Sequence, residues 1–454
     1  MATMESNDKK LQFDLLLEEN RPQEIQDFLN SVNPADIAEI FEDHTAEETS
    51  KLIELASDER QVDLVEHLDL NDQVELITGL DPQKSASLIE RMASDDRVDL
   101  ILSLPEILRN EILSHISDDE RHDIRKLMSF AEGTAGAVMT TDFASVSSDA
   151  TVQEAIDHLR LISRDAETIF YVYVVDSRNV LQGIISLRYL IFSNPTQLVR
   201  DMMYGVDLCT VHHSMDREEM AELFSKYDLL AIPVVDTEKR MLGIVTVDDV
   251  LDILEEEATE DFYNLGAAGQ PTDEDYLSAS ILTMAKRRLT WLISLVVVGF
   301  ISGYIMEQFT GLLNAAVALT FFIPLLCGSG GNAGSQATTV IIRSLATGEI
   351  DHSDLWKVVF KEFRIGLIVG SLLGMMAAVR AVLLNHDPRL AITVALAMVT
   401  TVVIAKSLGA ILPLVIDRIG MDPAIMSAPL IATILDVTTL IIYFKLATAI
   451  MITG

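Results

Sequence analysis

The chain has 454 residues, 49% of them hydrophobic, with 33 basic and 69 acidic side chains and a net charge of −36. That length accommodates roughly two to four domains, and the acidic balance excludes a nucleic-acid binder, which needs a basic footprint. Two cysteines, Cys209 and Cys327, exclude a disulfide framework, and no CxxC or Cys/His cluster points to structural zinc.

The first 30 residues are polar and acidic, which predicts no signal peptide. Beyond them an apolar pair recurs every 12 residues, at Ile40-Phe41, Leu52-Ile53, Leu64-Val65, Leu76-Ile77, Leu88-Ile89, Leu100-Ile101 and Ile112-Leu113. Polar helix starters keep the same interval at Thr45, Ser57, Asp69 and Asp81, with Pro82 just inside a helix start. The period predicts a solenoid of short helices over residues 1–131, each burying its pair against its neighbours.

A second repeat, offset by 60, runs from about 137 to 255: Val174-Val175-Asp176 matches Val234-Val235-Asp236, Gly183-Ile184 matches Gly243-Ile244, and Ser186 matches Thr246. Each copy reads as a helix, two β-rich runs joined by a turn, and a closing helix. The pattern resembles a tandem of cystathionine-β-synthase-type (CBS) domains, here 132–200 and 201–247. Such domains often bind adenine nucleotides and place an Asp three residues after the Ser/Thr, to hold a ribose hydroxyl. The second copy keeps it as Asp249; the first has Tyr189.

An acidic run follows over 248–280: Asp248, Asp249, Asp252, Glu255, Glu256, Glu257, Glu260 and Asp261. Like charges at i, i+4 destabilise a helix by about 0.2–0.5 kcal/mol per pair, so a helix carrying them calls for counter-ions. A solvated helix face or adaptation to salt would also produce such a run.

From Lys286 onward the balance reverses to 9 acidic and 12 basic residues, leaving 60 acidic and 21 basic before it. Residues 281–454 contain five apolar segments, about 289–309, 311–345, 358–384, 390–416 and 424–453, each long enough to cross a bilayer. Lys286, Arg287, Arg288, Arg343, Lys357, Lys361 and Arg364 fall on one side, which the positive-inside rule makes cytoplasmic. The acidic half then lies in the cytoplasm.

Two features in these spans carry chemistry. Asp436 lies mid-span, where a carboxylate is a functional hypothesis by default; a protonated Asp bonded to a neighbouring helix, or one paired with the intramembrane Lys406, is the alternative. Pro429, seven residues earlier, is expected to free a carbonyl near Ile425. Segment two has Pro324 and then Gly328-Ser329-Gly330-Gly331-Asn332-Ala333-Gly334-Ser335-Gln336, either a small-residue packing seam or an unwound turn exposing carbonyls. Carboxylate, carbonyl and amide oxygens suit a hard divalent cation, Mg²⁺ in particular.

Together these pieces resemble the MgtE family of magnesium channels over essentially the whole chain. The most specific stretches are Pro324 to Gln336, Asp422-Pro423-Ala424 with Pro429-Leu430 and Asp436-Val437-Thr438, and Thr246-Val247-Asp248-Asp249-Val250 followed by Glu257 to Asp261. The resemblance implies a homodimer with the pore on its two-fold axis, and Asp436 as the pore carboxylate with the Ala432 carbonyl as companion. Gly331, Asn332, Gln336 and Ala428 are implied as lining the pore. The sensor carboxylates it implies are Asp63, Asp95 and Asp99 in the solenoid and Glu218 and Asp228 in the second CBS copy. On the connecting "plug" helix they are Asp249, Asp252, Glu257, Glu260 and Asp261, with Asp422 facing them at the pore mouth.

The expected fold is therefore multidomain: an all-α solenoid, an α/β CBS pair, an acidic plug helix and a polytopic α-helical membrane domain. The expected function is Mg²⁺ uptake across the plasma membrane, gated closed by cytoplasmic Mg²⁺, with ATP a candidate ligand of the CBS pair. No phosphate loop or nucleophile–base constellation points to an enzyme. The rival readings are a CBS-regulated transporter of Mn²⁺, Co²⁺ or an organic anion, and a membrane-anchored Mg²⁺ or nucleotide sensor that conducts nothing.

Overall fold

The computed structural model describes residues 2–162, 166–205, 210–269, 271, 276, 279–426 and 428–452; Cys209 lies outside them. The chain divides into two compact units, Met1–Glu255 and Glu256–Gly454.

The first unit opens with helices α1 to α10: Ala2–Glu18, Pro22–Ser31, Pro34–Phe41, Ala46–Ile53, Asp58–Glu66, Leu70–Gly79, Pro82–Ile89, Ser94–Ser103, Glu106–His115 and Asp118–Leu127. From α3 on, each helix packs on the one two places further along, α3 on α5 through to α8 on α10. Two interleaved rows result. Six of the seven apolar pairs are fully buried between the rows, and in the seventh Ile112 is buried and Leu113 half-buried. Each buried Leu, Ile or Val side chain contributes about 1.5–3 kcal/mol, so the pairs are the main cohesive element. The four polar starters all occupy N-caps, but only two bond through their side chains: Thr45 forms a capping box with Glu48, and Asp81 accepts from the Gln83 N–H.

Two sheets follow. The first has the order β1 (Phe143–Ser147), β2 (Thr168–Val175), β3 (Leu181–Ser186), β4 (Tyr204–Gly205); the second is β5 (Val211–His212), β6 (Ala231–Val235), β7 (Met241–Thr246). In both, the leading strand pairs parallel to the next, and the following pair is antiparallel. These leading strands add to the helix–strand–strand–helix units read from the sequence. Helices α11 (Val152–Ile162), α12 (Leu187–Phe192), α13 (Arg217–Tyr227) and α14 (Val247–Leu265) flank them. The 60-residue offset appears as a local two-fold exchange: Leu181 N–H donates to the Lys239 carbonyl and Met241 N–H to the Asn179 carbonyl, both at 3.0 Å. α14 is a single helix that starts in the first unit and ends in the second.

The second unit carries five helical segments long and apolar enough to cross a membrane: Ile281–Gln308, Val317–Ala346, His352–Leu383, Pro388–Arg418 and Ala428–Met451. Its helices are α15 (Ile281–Gln308), α16 (Thr310–Ala315), α17 (Ile323–Ala346), α18 (Leu355–Asn385), α19 (Pro388–Arg418) and α20 (Ala428–Ala447). Segment two is not continuous from 311: the backbone leaves helical geometry at Ala316 (φ −139°, ψ 73°), so Thr310–Ala315 forms its own short helix. α18 and α19 lie antiparallel along a glycine seam. A Cβ added at Gly366 would stand 3.0 Å from Val403 Cα, one at Gly370 3.1 Å from Val399 Cα, and one at Gly374 2.9 Å from the Ala395 carbonyl.

Of the two readings left open for the glycine-rich stretch, the packing seam holds and the unwound turn does not: α17 runs unbroken through Gly328 to Gln336. One expectation about these spans is corrected. Pro429 frees no carbonyl within a span, because it sits in the first turn of α20, where its missing N–H has no intrahelical partner to lose.

Candidate functional site

The continuity of α17 follows from where its glycines point. A side chain at Gly330 would meet Thr401 and Thr439, one at Gly331 would come 3.3 Å from Ala432 Cβ, and one at Gly334 would overlap Leu435. Helix propensity disfavours these glycines by about 0.8–1.0 kcal/mol each relative to Ala, but inside a membrane bundle they let backbones close together. α17 thereby lies directly against α20 and α19. Ser335 Oγ donates to the Ala428 carbonyl at 3.2 Å, and Thr338 Oγ1 to the Gly409 carbonyl at 3.1 Å.

This packing leaves Asp436 half-buried on α20, with the thiol of Cys327 on α17 against its carboxylate. Asn332 and Gln336 stand one turn apart on α17 and are exposed. The Ala432 carbonyl lies inside α20, where helical geometry pairs it with the Asp436 N–H, so only its second lone pair is free for an ion. Lys406 does not pair with Asp436. Its Nζ stands 3.7 Å from Glu362 Oε2 on α18, and both residues are buried.

A second acidic group lies at the end of α14 in the same unit. The Asp261 carboxyl is pushed up to about 6, first by burial and then by Asp422, Glu257 and Glu260, with Arg343 opposing. Asp422 caps the turn that precedes α20, accepting from Ala424 N–H at 2.7 Å, and also accepts from Asn264 Nδ2 at 3.1 Å. The structure thus brings Asp261, Glu257, Glu260 and Asp422 into one neighbourhood.

The densest cluster is in the first unit, where the start of α8 meets the CBS pair. Asp95 is driven well above the usual carboxylate range by burial, then by Asp249, Asp96 and Glu167; its Oδ1 has no hydrogen-bond partner among the described residues. Asp96 is pushed up to about 8 by burial, Glu66 and Asp249, and Glu167 to about 7 by burial, Asp249 and Asp248. Burial also raises Asp249, against hydrogen bonds from the Thr246 N–H and from its hydroxyl at 2.6 Å. The nearby base Arg97 is directed elsewhere, to Glu120 and the Met92 carbonyl. Ser94 pins α8 in place: its Oγ is 3.0 Å from Thr140 Oγ1 and accepts from the Thr141 N–H at 2.7 Å.

Three of the remaining predicted carboxylates border this cluster. Asp99 and Asp252 act on Asp96 and Asp249 respectively. Asp63 is at the cluster's edge, 3.5 Å from Arg60 and acting on Glu66. Glu218 and Asp228 flank opposite ends of α13, about 15 Å apart at 1.5 Å per residue, so they cannot share one ion. Among the described residues no three His, Cys, Asp or Glu side chains stand as a preformed metal cage. Asp96, Glu167 and Glu66 were not anticipated; the adjacent Asp95-Asp96 pair at a helix start was the one sequence signal for any of them.

The family described as the MgtE divalent cation transporter matches residues 323–446, the MgtE intracellular N domain matches 32–133, and CBS domains match 135–193 and 199–256. A magnesium transporter MgtE from Thermus thermophilus is 42% identical over 327 residues, 72% of each chain, and one from Bacillus subtilis is 32% identical over 96% of each. The chain belongs to the MgtE family. A solved structure described as the cytosolic domain of the Mg²⁺ channel MgtE in complex with ATP superposes at TM-score 0.51 and 30% identity, covering 54% of this chain and 99% of that one. MgtE relatives are transporters, not enzymes, and the five apolar helices make this MgtE member a multi-pass membrane protein.

Proposed function

We propose that the chain is a Mg²⁺-selective uptake channel of the plasma membrane, that it acts as a homodimer with its first unit in the cytoplasm, and that cytoplasmic Mg²⁺ closes it. The observation that carries conduction is Asp436, a half-buried carboxylate in mid-span with no cation partner among the described residues, on the helix against which α17 closes. Mg²⁺ keeps several waters and needs only one or two carboxylates. Two copies facing each other would supply two Asp436 side chains, with Asn332 and Gln336 to bond the hydration shell. A negative cell interior drives a divalent cation inward, at about 2.3 kcal/mol per charge per 100 mV.

Closure is supported by carboxylates that resist ionising together. Occupied by Mg²⁺, the Asp95–Asp96–Glu167–Asp249 and Asp261–Asp422 groups hold their charge without repulsion; empty, they either keep protons or repel one another. The ion works by binding the closed form better than the open one. The solved relative carries ATP. In this chain the Tyr189 ring sits 5.6 Å from that of Tyr204, and Asp249 is committed to the acid cluster. The CBS pair is therefore assigned to ion sensing, and calorimetric titration with ATP in the presence of Mg²⁺ tests its nucleotide role.

The deciding experiment is Mg²⁺ influx into liposomes holding the full chain and an entrapped indicator. Asp436→Ala should cut influx at least about tenfold while the protein stays folded. Unchanged influx sinks the pore assignment, and equal influx of Mn²⁺ or Co²⁺ sinks the selectivity.

A further inference from the structure

Lys406 is a charge in the middle of α19 that conduction through Asp436 leaves without a role. It is 8% exposed, as is Glu362, and the 3.7 Å between Lys406 Nζ and Glu362 Oε2 makes an ion pair outside hydrogen-bond reach. Glu362 Oε2 has no hydrogen-bond partner among the described residues. Such a loosely made buried pair is weak as a stabilising device, because two apolar residues of similar volume often do as well or better. Its place in the bundle suggests a different use.

Lys406 faces α18, where Gly366 lets the backbone in: a Cβ there would stand 3.5 Å from Lys406 Cβ. Two neighbours of Lys406 on α19, Ala405 and Gly409, lie about 60–100° round the helix from it, toward α17. The Ala405 carbonyl is 3.5 Å from a Cβ added at Gly334, and the Gly409 carbonyl accepts from Thr338. Both of those partners are on α17, the helix that carries Asn332 and Gln336 and closes on Asp436. The Lys406 ammonium is therefore one helix behind the proposed pathway, within about two interhelical spacings of 8–10 Å. In that medium of low dielectric, a bare positive charge opposes a divalent cation far more than it would in water.

We propose that Glu362 is the counter-charge that masks Lys406 from the ion in the neighbouring pathway, so that the pair sets the electrostatic level of the conduction route. The inference rests on the Mg²⁺-channel reading. It makes a prediction about sign that a packing role does not. Glu362→Gln leaves an uncompensated positive charge; Lys406→Met leaves a negative one; the double variant leaves neither.

The test is initial Mg²⁺ influx into liposomes for the full-length chain and the three variants, each normalised to folded protein by size exclusion and thermal unfolding. Glu362→Gln should lower influx at least about fivefold, Lys406→Met should hold or raise it, and the double variant should return to within about twofold of wild type. A parallel fall in both single variants, or a double variant as poor as Glu362→Gln, overturns the proposal. If Glu362→Gln does not fold, Lys406→Met decides alone: influx at or above wild type sustains the masking role, and influx below it overturns that role. A wild type that takes up no Mg²⁺ overturns both the channel reading and the pair; wild-type uptake with parallel losses overturns the pair alone.

Discussion

Asp96 and Glu167 hold their protons up to about pH 8 and 7 because burial and neighbouring carboxylates disfavour their charged forms. Between the ordinary carboxylate range and those values the folded state binds more protons than the unfolded chain. Stability from these groups is therefore present at low pH and is lost as pH rises through the folded values. In Mg²⁺-free buffer the melting temperature should rise as pH is lowered from 8.5 to 6, and added Mg²⁺ should stabilise most at pH 8.5. Asp96→Asn should flatten that pH dependence, with a shift of about 2–4 °C per kcal/mol of relieved repulsion. A melting temperature independent of pH in scanning calorimetry counts against the cluster. Asp249 was legible because it follows the CBS Ser/Thr by three, whereas Asp95 came only through the resemblance to the MgtE family. Glu66 and Glu167 carry no pattern of their own; only the fold brings Glu167 to Asp249 and Glu66 to Asp96. Glu362 was hidden among Lys357, Lys361 and Arg364, where it read as part of a charged flank.

At the scale of elements, the solenoid was legible because a 12-residue spacing imposes one buried pair per helix whatever the intervening residues are. The leading strands β1 and β5 were not, since they are short and pair in parallel with residues more than 20 positions away. The glycines of α17 left a packing seam and an unwound turn both open in the sequence, because only the fold shows the partner helices that occupy the space of the missing side chains. That account is testable. Gly409→Ala would bring a Cβ to 2.5 Å from the Gly334 carbonyl and 3.0 Å from Thr338 Oγ1, while Gly328→Ala meets nothing within 4 Å. Gly409→Ala should destabilise the detergent-solubilised protein by about 1–3 kcal/mol, the usual cost of overpacking. Gly328→Ala should leave it unchanged or slightly more stable; equal melting temperatures for the two variants would contradict the packing role.

At the scale of the whole molecule, α14 carries Asp249 in its first turn and Asp261 twelve residues later, about 18 Å along one continuous helix. Ions bound near either end touch the same continuous helix. Limited proteolysis of the full chain should show protection developing at millimolar Mg²⁺ but not at matched ionic strength in NaCl, and Asp249→Asn or Asp261→Asn should shift that protection to higher Mg²⁺. Equal protection by NaCl would reduce the acidic excess to screening. The Glu362–Lys406 pair also bears on how the protein is made. A lone Asp or Lys at the centre of a helix costs about 2.5–3.5 kcal/mol on the translocon-insertion scale, and Glu362 leaves the ribosome 44 residues before its partner. α19, which carries Lys406 at mid-helix, is thus the costlier of the two to insert alone, and the cheaper route into the bilayer is for it to enter against α18, already made, as a hairpin zipped along Gly366, Gly370 and Gly374.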